Sequence, residues 1–314
     1  MPSQSTRLAP QGVHSDIAQL LQLRFAAQDF SLFARRRAAN VLAGVVHTRF
    51  RGRGIDFEEV RAYQPGDDVR NIDWRVTART QIPHTKLFRE ERERPVYIVA
   101  DQRSSLFFGS QQCFKSVLGG FIAATLAWAA LGKGDRVGAM VFGDRNQRDI
   151  RPRRSKHSVL ELIHELAAFS RLLDSPLPDP EGIDLLQLLA DTRRVAKPGS
   201  AVFIISDFHD WNAACEEQLF LLARHADVTL VHLYDPLEKR LPKRGLLTVT
   251  DGEQRRQVSG ADSRVRRDFT LHFEQHLADL TKSCQKLSLP LLSFSTTDDV
   301  LAGLRELYGR RRRR

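Results

Sequence analysis

The chain has little of what marks a secreted, membrane-spanning or metal-clipped protein. Cysteine occurs three times in 314 residues, as Cys113, Cys215 and Cys284. Three widely spaced thiols without a C-x-x-C pair exclude a disulfide framework and a zinc knuckle, and fit a reducing compartment. No apolar run reaches the ~18 residues that read as a membrane span. The longest, Leu118–Leu131, is interrupted by Gly, Thr and Trp. The first twenty residues lack the basic-then-apolar layout of a signal peptide. Together these absences lead us to expect a cytoplasmic protein.

Catalytic and nucleotide-binding patterns are missing too. Gly132-Lys133-Gly134-Asp135 lacks the rest of a phosphate loop and precedes a strand pattern, so it reads as a turn. Gly52-x-Gly54 has no third glycine. There is no G-x-S-x-G, and no serine, histidine and acid are spaced as a triad. His272 and His276 lie four apart, but Phe273 stands where a zinc protease needs glutamate. Two surface histidines are the expectation there, and His209 and Asp210 read as exposed loop residues. No enzymatic activity is expected.

What is present is a globular composition, 42% hydrophobic, with a net charge of +10. Half of that charge sits in the tail Arg310–Arg314. Such a tail offers weak contact with anionic lipid, about 1 kcal/mol per basic residue, and hence a peripheral position at the inner membrane. Nucleic acid is not an expected partner, because no aromatic platform or recognition helix accompanies the charge.

Four regions are expected: a disordered stretch at 1–14, an N-terminal segment at 15–94, an α/β domain at 95–309, and the arginine tail. Ile17, Leu20, Leu21 and Phe25 recur at helical spacing early in the N-terminal segment. After Pro95, short apolar runs alternate with helical patterns. Strands are expected at Val96–Ala100, Val137–Phe142, Ala201–Ser206, Val228–Tyr234 and Leu291–Ser295, with a hairpin through Asp251-Gly252. That alternation implies an α/β fold, an open, mostly parallel sheet with helices on both faces, preceded by an N-terminal helix and an irregular or β segment. Val96–Ala100 and Ala201–Ser206 are expected as neighbouring central strands. Asp101 and Asp207 each follow one of these runs, at the carboxyl end where ligands of such folds bind.

The segment Arg51–Arg79 reads RGRGIDFEEVRAYQPGDDVRNIDWRVTAR. Asp56, Asp67, Asp68 and Asp73 alternate with Arg51, Arg53, Arg61, Arg70, Arg75 and Arg79, and arginine forks pair with carboxylates. One reading is an ion-pair network that orders an apolar-poor segment. The other is a partner-binding surface anchored by Trp74. The stretch resembles the signature of the domain-of-unknown-function-58 family. Arg51, Gly52, Gly54, Asp56, Phe57, Arg61, Tyr63, Gly66, Asp67, Asp68, Arg70, Ile72, Asp73, Trp74, Ala78 and Arg79 match its order and spacing, followed by Phe88-Arg89-Glu90-Glu91. The resemblance implies a von Willebrand A-like domain that partners MoxR-type AAA+ ATPases and membrane-bound von Willebrand A proteins of the Bat type. Assembly, chaperone-like or stress-related roles follow, in a soluble form without the two membrane spans of many members.

A von Willebrand A domain can hold Mg²⁺ through D-x-S-x-S, a distant threonine and a second aspartate, all hard oxygen ligands. Here Arg103 stands at the first serine position and Ile183 at the threonine position, leaving Asp101, Ser105 and Asp207. The expectation is a degenerate site without metal or other cofactor, in which Arg103 takes the cation's place against Asp207 or Asp101. The alternative is a metal-dependent adhesion-type binder in which Ser104 shifts into the ligand role.

Overall fold

The computed structural model describes residues 8–32, 56–65, 67–89, 95–172, 182–250 and 255–309. The expected tail Arg310–Arg314, most of the stretch 1–14, and the signature positions Arg51, Gly52, Gly54 and Gly66 lie outside the described residues, as do Arg53, Glu90 and Glu91.

The chain divides into two units, Val46–Arg94 and the remainder. This corrects the expected segment 15–94. Its early helix, α1 (Ile17–Ala26), belongs to the large unit, because Leu20 and Leu23 are buried in that unit's core. The apolar face of a ten-residue helix decides its place more strongly than its sequence neighbours do.

In the small unit, β1 (Asp56–Ala62) pairs antiparallel with β2 (His84–Arg89), from Asp56↔Arg89 to Ala62↔His84, with a bulge between Phe57 and Glu59. The chain between them makes a 3-10 turn at Val69–Asn71 and the helix α2 (Trp74–Thr80). The side chain of Asp73 caps α2 by accepting from the backbone N–H groups of Arg75 and Val76. Gln81, left-handed at φ 60°, ends it.

The large unit is built on a six-stranded sheet in the order β10-β7-β6-β3-β4-β5. Its strands are β3 (Pro95–Asp101), β4 (Arg136–Phe142), β5 (Gln147–Arg153), β6 (Ala201–Ser206), β7 (Asp227–Tyr234) and β10 (Leu291–Ser295). All pairings are parallel except β4 with β5. The expected neighbours, β3 and β6, pair from Val96↔Ala201 to Ala100↔Ile205. The edge strand β5 carries Arg148, Arg151, Pro152 and Arg153.

Side-chain alternation sorts the core into two layers. Val96, Ile98, Ala100, Phe203 and Ile205 face α1, α3 (Lys115–Gly132), α4 (Lys156–Phe169) and α9 (Val300–Tyr308). Tyr97, Val99, Val202 and Ile204 face α5 (Leu185–Val195), α6 (Ala213–Ala223) and α8 (Ser263–Lys286). A short helix α7 (Pro236–Lys239) and the hairpin β8–β9 (Leu246–Thr250, Arg255–Ser259) separate β7 from α8.

α3 corrects one expectation. At 18 residues it is long and apolar enough to cross a membrane, yet 89% of it is buried inside the unit. The indole N–H of Trp128 donates to the Leu20 carbonyl at 3.0 Å, tying α3 to α1. Its apolar surround is the protein's own core.

Candidate functional site

Chain order places the switch point at β3. The chain runs outward from it through β4 and β5, then returns to build β6, β7 and β10 on its other side. A crevice at the carboxyl ends of such central strands is where α/β folds place ligands. Asp101 ends β3 and Asp207 follows β6, and both carboxylates are buried.

Each carboxylate has its own buried cation. Arg103, 4% exposed, folds back on Asp101. Its backbone N–H donates to Asp101 Oδ1 at 2.9 Å, its Nε to Oδ1 and Oδ2 at 3.2 Å each, and its Nη2 to Oδ2 at 2.9 Å. The Ser206 hydroxyl adds a donor to Oδ2 at 2.7 Å. The far side of the guanidinium reaches Asp210 with contacts of 2.7 and 3.1 Å, and the group lies 5.6 Å from the Phe142 ring centre. Of the two partners expected for Arg103, then, Asp101 is the one it binds. Asp210 is its second anchor, not an idle loop residue. Asp210 also accepts the Leu185 N–H at 2.8 Å, fixing the start of α5.

Asp207 is held by Lys115, the first residue of α3 and only 2% exposed. The Lys115 ammonium donates to Asp207 Oδ2 at 2.9 Å and to Glu238 Oε1 at 2.6 Å. His209 Nδ1 lies 3.2 Å from Asp207 Oδ1 and 3.6 Å from Asp210 Oδ1. The two carboxylates respond oppositely. Burial raises Asp101, the opposing Arg103 charge notwithstanding, and the nearby Asp207 charge raises it further. Burial also pushes Asp207 up, but the Lys115 charge wins and holds it well below the ordinary carboxylate range. Four donors and a guanidinium that cannot lose its proton favour the ionised form of Asp101. His209 is raised, chiefly by its hydrogen bond to Asp207.

The remaining expected positions are scattered in role. Ser104 turns to Asp144, its N–H and hydroxyl both donating there at 3.1 Å. The Ser105 hydroxyl is sealed from solvent without a hydrogen-bond partner. The Ile183 backbone N–H donates to the Asp144 carbonyl at 2.8 Å, while its side chain packs against the core. Among the described residues, no three His, Cys, Asp or Glu side chains are grouped to hold a metal ion. Beside the site, Asp235 gathers the Ser110 hydroxyl and N–H, the Thr296 hydroxyl and the Leu237 N–H.

His276 corrects the surface expectation made for it. Its Nε2 is buried without a partner, and its ring lies 6.5 Å from His232 on β7. His232 is buried, stacks on Tyr234 at 5.7 Å, and is pushed down to about 4, mainly by burial.

In the small unit the signature residues do local work. Arg61 pairs with Asp67 at 2.8 Å and Arg70 with Asp68 at 3.1 Å. Hydrogen bonds from the Gln64 backbone and from Arg61 lower Asp67, and bonds from Arg70 lower Asp68. Tyr63 donates to the Asp67 carbonyl at 3.3 Å. Trp74, Arg75 and Arg79 face solvent, with Trp74 at 68% exposure. The structure describes Asp56 and Phe57 only as members of β1.

Lys115, Glu238, Asp144 and Asp235 escaped the sequence reading. One signal was available for Lys115: a lone cation opening a long apolar helix must be paired if the helix is buried.

Comparison with known proteins agrees with the signature. Residues 59–279 match the family described as Protein of unknown function DUF58. An uncharacterized protein of Mycobacterium tuberculosis is 30% identical over 296 residues, spanning 93% of this chain and 90% of its own length. One of Mycobacterium bovis matches to the same extent. Among solved structures, conserved hypothetical protein BatB from Bacteroides thetaiotaomicron is similar at 12% identity and a TM-score of 0.44, over 68% of this chain and 96% of that one. An uncharacterized membrane spanning protein from Vibrio fischeri is similar at 16% identity and a TM-score of 0.20, over 69% and 97%. Both structural likenesses are too distant to carry an argument. The family match and the Mycobacterium relatives suffice: this chain belongs to the DUF58 family.

Proposed function

We propose that this chain is a non-enzymatic protein-interaction module of von Willebrand A-like design, working in the cytoplasm beside a MoxR-type AAA+ ATPase and Bat-type membrane proteins. The observation that supports it most is the pair of tethered cations at the carboxyl edge. Arg103 on Asp101 and Lys115 on Asp207 neutralise both carboxylates that an adhesion-type site would offer to Mg²⁺. A divalent ion does not fit among two permanent or buried cations and an isoleucine at a ligand position. Co-purification with the MoxR-type ATPase of the same organism, with and without ATP, tests this reading; no complex in either state sinks it.

The second reading, a metal-dependent adhesion-type binder, draws on the orphaned Ser105 hydroxyl. Calorimetry with Mg²⁺ separates the two. The wild type is expected to show no heat of binding at millimolar metal. Arg103→Ser with Ile183→Thr supplies two ligands but leaves Lys115 on Asp207. Measurable affinity is therefore expected only when Lys115→Met is added. The arginine tail is proposed to give no more than weak contact with anionic lipid.

A further inference from the structure

The small unit presents apolar and basic side chains together on its surface. Among its described side chains no apolar one is buried, and only Thr85 is fully withdrawn from solvent. Three of its described apolar groups point outward: Val69 is 60% exposed, Trp74 68% and Ile82 57%. Trp74 and Ala78 stand one turn apart on α2, and Ile82 continues beyond its end. Arg75 and Arg79 run beside them at the same four-residue spacing, and Arg70 lies just before, all three exposed. Aromatic and arginine side chains together are the composition of interface centres.

We infer that this Trp74–Ile82 face is a docking surface for an acidic protein segment that carries an apolar anchor. Charge complementarity selects the occupant. Among the described residues the face offers three arginines against one exposed acid, Asp68, which Arg70 already engages. A second copy of the same face brings arginine to arginine, which like-charge repulsion disfavours. An acidic amphipathic segment covers the indole and the Ile82 side chain while meeting the guanidinium row.

The inference deepens the interaction reading above, by placing the contact on the small unit, and its test keeps the two apart. The first arm uses the full chain and two synthetic twenty-residue amphipathic peptides of identical apolar pattern, one Glu/Leu and one Lys/Leu. Fluorescence of the wild type minus that of Trp74→Phe isolates the Trp74 signal. The Glu/Leu peptide is expected to shift that signal to the blue, the Lys/Leu peptide to leave it unchanged. Arg75→Glu with Arg79→Glu is expected to weaken Glu/Leu binding at least tenfold, and raised salt to weaken it further. Equal binding of both peptides, indifference to charge reversal, or wild-type dimers that Trp74→Ala dissolves would each overturn the inference. In the second arm the purified MoxR-type ATPase is the probe, with Phe25→Ser on α1 as the control variant. ATPase binding that survives Trp74→Ala and the double reversal overturns the docking surface alone. Peptide recognition as expected, with no ATPase binding by the wild type, overturns the choice of ATPase and leaves the docking surface standing.

Discussion

The large unit and the small unit solve the same problem by opposite means. The large one buries both faces of a six-stranded sheet under helices, and even its charges are interior, as Arg103 and Lys115 show. The small one has its two-stranded ladder, capped turns and half-exposed ion pairs, but no buried apolar side chain among those described. The first is held by area removed from water. Among the described residues of the second, the visible ties are local hydrogen bonds and ion pairs, each of modest net worth. The described turns and helix cap of the small unit are therefore cheaper to disturb than the large unit's core.

The largest effect is expected from Phe121→Ala. Phe121 is fully buried in α3, and its removal should cost about 3–5 kcal/mol in denaturant unfolding. A cost below about 1 kcal/mol would mean that the large unit's core is not what holds it. Acid titration comes next. His232 sits near 4 in the folded chain and near its ordinary 6.5 when unfolded, so the unfolded chain takes up the proton first. Stability present above pH 6.5 should fall as the pH drops towards 4, by about 3 kcal/mol for this group. His232→Gln should remove that part of the slope, and an unchanged slope would show that the ring titrates normally.

A smaller, strictly local effect is expected from Asp73→Ala. Loss of the α2 cap should cost about 1 kcal/mol, read as faster exchange and proteolysis within Val46–Arg94 at unchanged unfolding of the large unit. Coupled loss of both units would end the contrast drawn here. Trp74→Ala should be the mildest of the four, within about 0.5 kcal/mol of wild-type stability, because the side chain is already in water. A larger loss would show that the indole packs within the chain.

Most of the large unit was legible because buried parallel strands are short apolar runs. Val96–Ala100 and Ala201–Ser206 were found within a residue or two at their ends, as was the pairing between them. Ser155 and Asp184 cap α4 and α5 through the backbone N–H groups of His157 and Gln187, a local bond within the first turn. The site was legible only in part. Asp101, Arg103 and Asp207 could be picked from position, but Lys115 lies 92 residues from Asp207 and Asp210 lies 107 from Arg103. No periodicity encodes which side chains a sheet brings together across such distances. Within the small unit, the alternation of aspartate and arginine allowed ion pairing without assigning partners, and the structure pairs Arg61 with Asp67 and Arg70 with Asp68. It hid the role of Asp73, which caps α2 by accepting the backbone N–H groups of Arg75 and Val76.

The edge strand β5 bears on how copies of this chain behave when crowded. An edge strand leaves one row of backbone donors and acceptors open to a strand from another molecule, the first step of sheet-to-sheet aggregation. Pro152 has no N–H to offer another strand, and the exposed Arg148, Arg151 and Arg153 bring like charges together when two such edges approach. Concentrated solutions should therefore be slow to polymerise through this edge. Replacing Pro152 and its flanking arginines with threonine should make the protein markedly more prone to fibrous, thioflavin-positive precipitation on mild heating.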